Sequence, residues 1–159
     1  LPAAGSAPLS VQMPVLPAEA PPQDYAGTFP EASERLRAAV AFLQARGHDA
    51  IAVVAHSMGA RMTNHFLTGS PQPMIFAWVS IGLSGAFTAP ERLGLPILDL
   101  YGERDLPAVL AGAPERAKVL GRMPASAQVQ VSGADHFFAD REAPMMQWVR
   151  RFLDRSLGR

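Results

Sequence analysis

The sequence predicts a single α/β domain, a mostly parallel sheet flanked by helices in three layers. Three observations carry this: a short, wholly apolar, β-branched run over 50–55 follows an amphipathic stretch; strand-like runs keep alternating with helical stretches along the chain; and 159 residues, 48% of them apolar, match the size of one domain. A domain of this length buries roughly two-thirds of the surface that its unfolded form exposes, enough for one core. Strands alternating with helices imply parallel pairing through right-handed crossovers.

Taken in order, residues 1–30 read as a Pro/Ala-rich arm and residues 31–159 as the domain proper. Seven of the 15 prolines fall in the arm, which excludes a long helix or a central strand there. Its one strand-like piece is Leu9-Ser10-Val11-Gln12-Met13, stopped by Pro14, and the rest to Pro30 reads as loop. From Glu31 to Arg46, Leu36, Ala39, Val40 and Leu43 recur at helical spacing, and Gly47 sits where a C-terminal cap belongs. The next run, Ala50-Ile51-Ala52-Val53-Val54-Ala55, suits a strand covered on both faces. A helix is expected over 59–67, strands over 74–83 and 95–101, and a helix over 114–121. The alternation of Ala127-Gln128-Val129-Gln130-Val131 suits an edge strand. In the closing helix, 145–157, Met145, Met146, Trp148, Val149, Phe152 and Leu153 form a stripe that serves packing on a sheet better than contact with lipid.

Composition narrows the function classes. Fourteen basic residues balance 14 acidic ones, so no nucleic-acid partner is expected and the substrate is a small molecule that is not polyanionic. The absence of cysteine excludes disulfides, thiolate ligands and a cysteine nucleophile. No uncharged apolar run approaches the roughly 20 residues that span a bilayer, so stable membrane insertion is not expected. The start at Leu1 shows neither a basic n-region nor a signal-like apolar core.

The sharpest feature is Ala55-His56-Ser57-Met58-Gly59, between a buried strand and an amphipathic helix. A serine at a tight strand-to-helix turn is held above the sheet edge, and small residues at the second position on either side let the backbones approach. Ala55 and Gly59 meet that demand. The helix N-terminus also offers free N–H groups to an oxyanion, Met58 N–H first among them. Serine is a poor nucleophile without a base, and the base needs an orienting carboxylate. Asp105 follows the strand that ends at Tyr101, and His136 follows the strand that ends at Val131, so three loops can converge on one sheet edge. The bland alternative is that Ser57 is an ordinary helix N-cap. His48 and His65 read as surface or helix-face residues, and His56 as a support of the turn. Asp135 competes with Asp105 but is adjacent to His136, and neighbouring side chains in extended chain diverge. Asp99 and Glu103 are outside candidates, and Asp99, if buried, needs a partner. Phe137 and Phe138 either wall an acyl pocket, binding substrate, or anchor the loop.

From Glu31 to the C-terminus, motif, order and context resemble the α/β-hydrolase family, in a minimal three-layer form without a cap domain. The matching positions are Ser57 in the elbow, Asp105 in Tyr-Gly-Glu-Arg-Asp and His136 in Gly-Ala-Asp-His-Phe, in the chain order that fold uses. Alanine in place of the elbow's first glycine is similar to small lidless bacterial lipases. Gln-Met-Pro-Val-Leu-Pro resembles a little-characterised bacterial branch, which leaves the compartment open between cytoplasm and periplasm or secretion. The resemblance implies a serine esterase acting on short or medium acyl esters, with no cofactor and no metal.

Two departures from the family pattern are evident. No His-Gly loop supplies the second oxyanion donor, which is then expected near Met13–Leu16. If Leu9–Met13 is the family's fourth strand, the strand normally between it and the nucleophile strand is missing. The resulting exposed edge invites pairing, so either the arm moves against it or the chain forms a homo-oligomer. A non-catalytic or truncated hydrolase-fold protein, acting in binding or assembly, is the rival reading.

Overall fold

The computed structural model describes residues 6–158; residues 1–5 of the expected arm and Arg159 lie outside it. Four strands, β1 (Ile51–His56), β2 (Ile75–Ile81), β3 (Ile97–Arg104) and β4 (Ala127–Asp135), form one sheet in the order β1-β2-β3-β4. Every pairing is parallel. The helices are α1 (Phe29–Gln44), α2 (Met58–Gly69), α3 (Pro107–Leu120) and α4 (Glu142–Ser156).

Side-chain alternation along β2 and β3 divides the core into two layers. Trp78 and Ile97 point to one face, where they pack with Leu36 of α1, Phe66 and Leu67 of α2, and Leu120 of α3. Val79, Leu98 and Leu100 point to the other, where Val149 and Phe152 of α4 cover them. Three helices on one face and one on the other give the expected three layers. The stripe on α4 is therefore core at Val149 and Phe152, with Trp148 at its exposed margin.

The structure corrects four local expectations. Leu9–Met13 is not a strand. A groove of about 530 Å³, lined by this segment and by Ile51–His56, lies between it and β1, so the two backbones do not pair. The segment is tethered instead through the Gln12 carbonyl, which accepts from Arg35 Nη1 at 2.6 Å. Second, β1 is not covered on both faces: it is the sheet edge, half of its side chains are only partly buried, and Val54 is exposed. Third, α3 begins at Pro107 rather than near Pro114: Pro107 occupies the first turn, where a missing N–H costs nothing, and Pro114 is accommodated inside the helix. Fourth, residues 22–28, expected as loop, form a 3-10 helix with Pro22 at its start.

Candidate active site

All three loops expected to carry chemistry leave the same edge of the sheet. The turn from β1 to α2 holds Ser57 at φ 54°, ψ −120°, a conformation that costs a non-glycine residue on the order of 1–3 kcal/mol. Its backbone is fixed on both sides: Ser57 N–H donates to the Ile81 carbonyl at 2.8 Å, and its carbonyl accepts from Ala60 N–H at 3.0 Å. Ser57 precedes α2 as its N-cap residue, yet its side chain makes no capping bond. The hydroxyl turns instead to His136 Nε2 at 2.9 Å.

His136 follows β4, and both ring nitrogens are engaged. Nδ1 lies 2.6 Å from Asp105 Oδ1, so Nδ1 carries the proton and Nε2 accepts from the serine hydroxyl. Asp105 itself is held by backbone donors, Leu106 N–H to Oδ1 at 2.8 Å and Gly102 N–H to Oδ2 at 3.0 Å. Both His136 and Asp105 are buried, which keeps these bonds out of competition with water. The arrangement can draw the hydroxyl proton toward Nε2 while a fixed carboxylate stabilises the imidazolium. Met58 N–H, the first amide of α2, has no intrahelical acceptor and lies next to the serine.

Asp135 is turned away from this chain of bonds. Its Oδ1 accepts from Phe137 N–H and Ala139 N–H at 3.0 and 3.1 Å, shaping the turn. Glu103 accepts from Gly133 N–H and the Ser132 hydroxyl, which hold its carboxyl below the ordinary range. Asp99 is buried and bound by Arg116 Nε and Gln128 Nε2, each at 2.8 Å. Burial pushes its carboxyl up, against the pull of Arg116. His48 and His65 are exposed, His65 against the ring of Phe29.

The two phenylalanines separate. Phe137 is 78% exposed and stands edge-on to His136, with ring centroids 5.3 Å apart. Phe138 is 1% exposed and packs in the core on the α4 side of the sheet, so it anchors the loop and does not bind substrate. In the stretch expected to offer a second oxyanion donor, Leu16 N–H is engaged by the Tyr25 hydroxyl at 3.3 Å and Pro14 has none.

Three features escape sequence reasoning. Gly82, just after β2, has φ 61°, and a Cβ there would stand 3.0 Å from His136 Cε1. The only trace in sequence is a glycine directly after an apolar strand. His56 Nε2 lies 2.8 Å from the main-chain carbonyl of His136. Arg116, fully buried on α3, joins Asp99 to the Gly85 carbonyl and so ties the loop after β2 to that helix; the signal in sequence is that Asp99, in an apolar strand, needs a partner.

The fold that carries this constellation is that of the α/β hydrolases. Among solved structures, an α/β hydrolase of unknown function from Agrobacterium tumefaciens superposes with a TM-score of 0.65 at 22% identity, covering 80% of this chain and 61% of that one. Esterase PE8 superposes with a TM-score of 0.62 at 20% identity, covering 88% and 69%. A carboxylesterase of Nitrososphaera gargenis gives 0.63 at 11% identity, covering 82% and 73%. The chain thus spans less than two thirds of the first of these proteins and somewhat more of the other two. It matches no protein-family model and no curated protein sequence.

Proposed function

We propose that this chain is a serine hydrolase that cleaves carboxylic esters through an acyl-enzyme on Ser57. The observation that carries the reading is the continuous path from Asp105 through His136 to a serine hydroxyl that forgoes capping its own helix. Ser57 Oγ attacks the ester carbonyl as its proton passes to His136 Nε2. The tetrahedral oxyanion is received by Met58 N–H, and the imidazolium returns the proton to the leaving alcohol. Water, activated by the same imidazole, then releases the acid. The exposed ring of Phe137 supplies an apolar wall beside the scissile bond, suited to short or medium acyl groups, and none of these steps calls for a metal or organic cofactor.

The test is hydrolysis of p-nitrophenyl acetate and butyrate by the chain beside Ser57→Ala and His136→Ala. Activity abolished by both substitutions supports the reading; folded protein no faster than its variants contradicts it. One observation favours a second reading, assembly through the free edge of β1. That strand ends the sheet, and its outer side faces the groove rather than another strand. Light scattering of an inactive but folded chain decides this: a dimer that Val54→Lys dissociates supports assembly, and a monomer counts against it.

A further inference from the structure

We propose that His56, the residue before the serine, is a positioning residue for the base, holding the His136 imidazole in line with Ser57 through a hydrogen bond to the His136 main-chain carbonyl. The inference rests on the ester-hydrolase reading above.

Side-chain bonds alone leave His136 free to pivot. Its Nδ1–H bond to Asp105 fixes one end of the ring, and its bond to Ser57 is the one the reaction breaks and remakes. During turnover the ring must therefore keep its place without the serine. Three other contacts constrain it. Gly82 forms the floor, where a Cβ would stand 3.0 Å from His136 Cε1 and press the ring out of place. Phe137 stands against the ring edge-on. His56 reaches across from β1 to the backbone of His136 itself, 80 residues on, with Nε2 2.8 Å from the carbonyl oxygen.

The bond has a defined polarity. A carbonyl only accepts, so His56 Nε2 carries the proton. Surrounding protein desolvates the imidazole and lowers its pKa from the ordinary 6.5, although the bond to the carbonyl works in the other direction. That shift disfavours a second cation beside the His136 ring, 4.7 Å away between ring centroids. Because His56 also lines the groove beside β1, it connects the firm side of the site to the open one.

The experiment compares wild type, His56→Leu and His56→Gln. It measures p-nitrophenyl butyrate turnover and, independently of turnover, the far-downfield proton resonance of His136 Nδ1–H in its bond to Asp105. Glutamine keeps an N–H donor at a similar reach; leucine keeps bulk alone. Losing one neutral hydrogen bond should lower kcat about tenfold in H56L with KM within about twofold, and H56Q should recover kcat to within about threefold of wild type. The downfield resonance should be sharp in wild type and H56Q and broadened in H56L. If H56L does not fold, His56→Met takes its place. Unchanged kcat in the folded apolar variant, or H56Q as slow as that variant, overturns the inference. Wild type no faster than Ser57→Ala means that the ester-hydrolase reading has failed; the resonance then decides alone, and equal sharpness in all three proteins overturns the positioning role.

Discussion

The two sides of β1 are built to different standards. On its inner side the strand pairs with β2 along its length, and the loops beyond hold a site in which Asp105 receives three donors and His136 uses both ring nitrogens. On its outer side a groove of about 530 Å³ separates the strand from a tethered, unpaired segment. Strained backbone at Ser57 persists only where surrounding bonds over-determine it, and those bonds come from the inner side. Ser57, His136 and Asp105 therefore sit on the firm half of the molecule, with His56 on the flank toward the groove.

The largest break in that contrast should come from Asp105→Asn. An amide can no longer both accept from Nδ1–H and stabilise imidazolium, so kcat should fall on the order of 10⁴-fold in correctly folded protein. Steady-state kinetics beside circular dichroism checks this. A loss under tenfold would mean that another carboxylate serves.

Stability should divide along the same line. Phe152→Ala removes a fully buried ring from the layer between sheet and α4 and should cost about 3–5 kcal/mol by urea denaturation. Leu9→Ala, at a residue already 41% exposed beside the groove, should stay within about 0.5 kcal/mol. Comparable losses would mean that Leu9 packs as Met13 does, against the core.

A finer probe is Gly82→Ala. Its Cβ would press on the base ring at 3.0 Å and its φ of 61° disfavours any side chain, so kcat should fall at least about tenfold while stability drops only about 1 kcal/mol. Equal turnover would show that the ring has slack.

Glu103 tests the rim with the smallest effect. Its carboxyl is held below the ordinary 4.5 by the Gly133 N–H and the Ser132 hydroxyl, so the stability it supplies is present above 4.5 and is lost as pH falls through the depressed value. Thermal melts of Glu103→Gln should lie slightly below wild type at pH 7 and converge with it as pH falls below 4.5 through the depressed value. A gap that widens on acidification would reverse the sign.

Much of this was legible in sequence because it is local or periodic. Apolar or alternating runs locate the four strands, and Asp105 and His136 are exposed to inference by following strands that must end on one edge. Other features depend on what lies across the chain. Alternation in Leu9–Met13 looks like a strand, but pairing requires a neighbour that local pattern cannot reveal. The free edge of Ile51–Ala55 follows from the missing neighbouring strand, but an apolar run does not show that one of its faces, at Val54, stays exposed. Proline favours helix starts at both Pro107 and Pro114, and only the packing of Val109 and Ala113 against Tyr101 tells which one serves. The floor at Gly82 and the reach of His56 arise from close approach between distant segments, for which residue identity alone gives no signal.

The central claim is that His136 and Asp105 activate Ser57. Labelling by a fluorophosphonate probe, which requires an activated serine and not merely an accessible one, tests it most directly. The account predicts one adduct per chain on Ser57, none in Ser57→Ala, and a rate reduced on the order of 10³-fold or more in His136→Ala. Labelling that survives His136→Ala at the wild-type rate, or that maps to another residue, would contradict it.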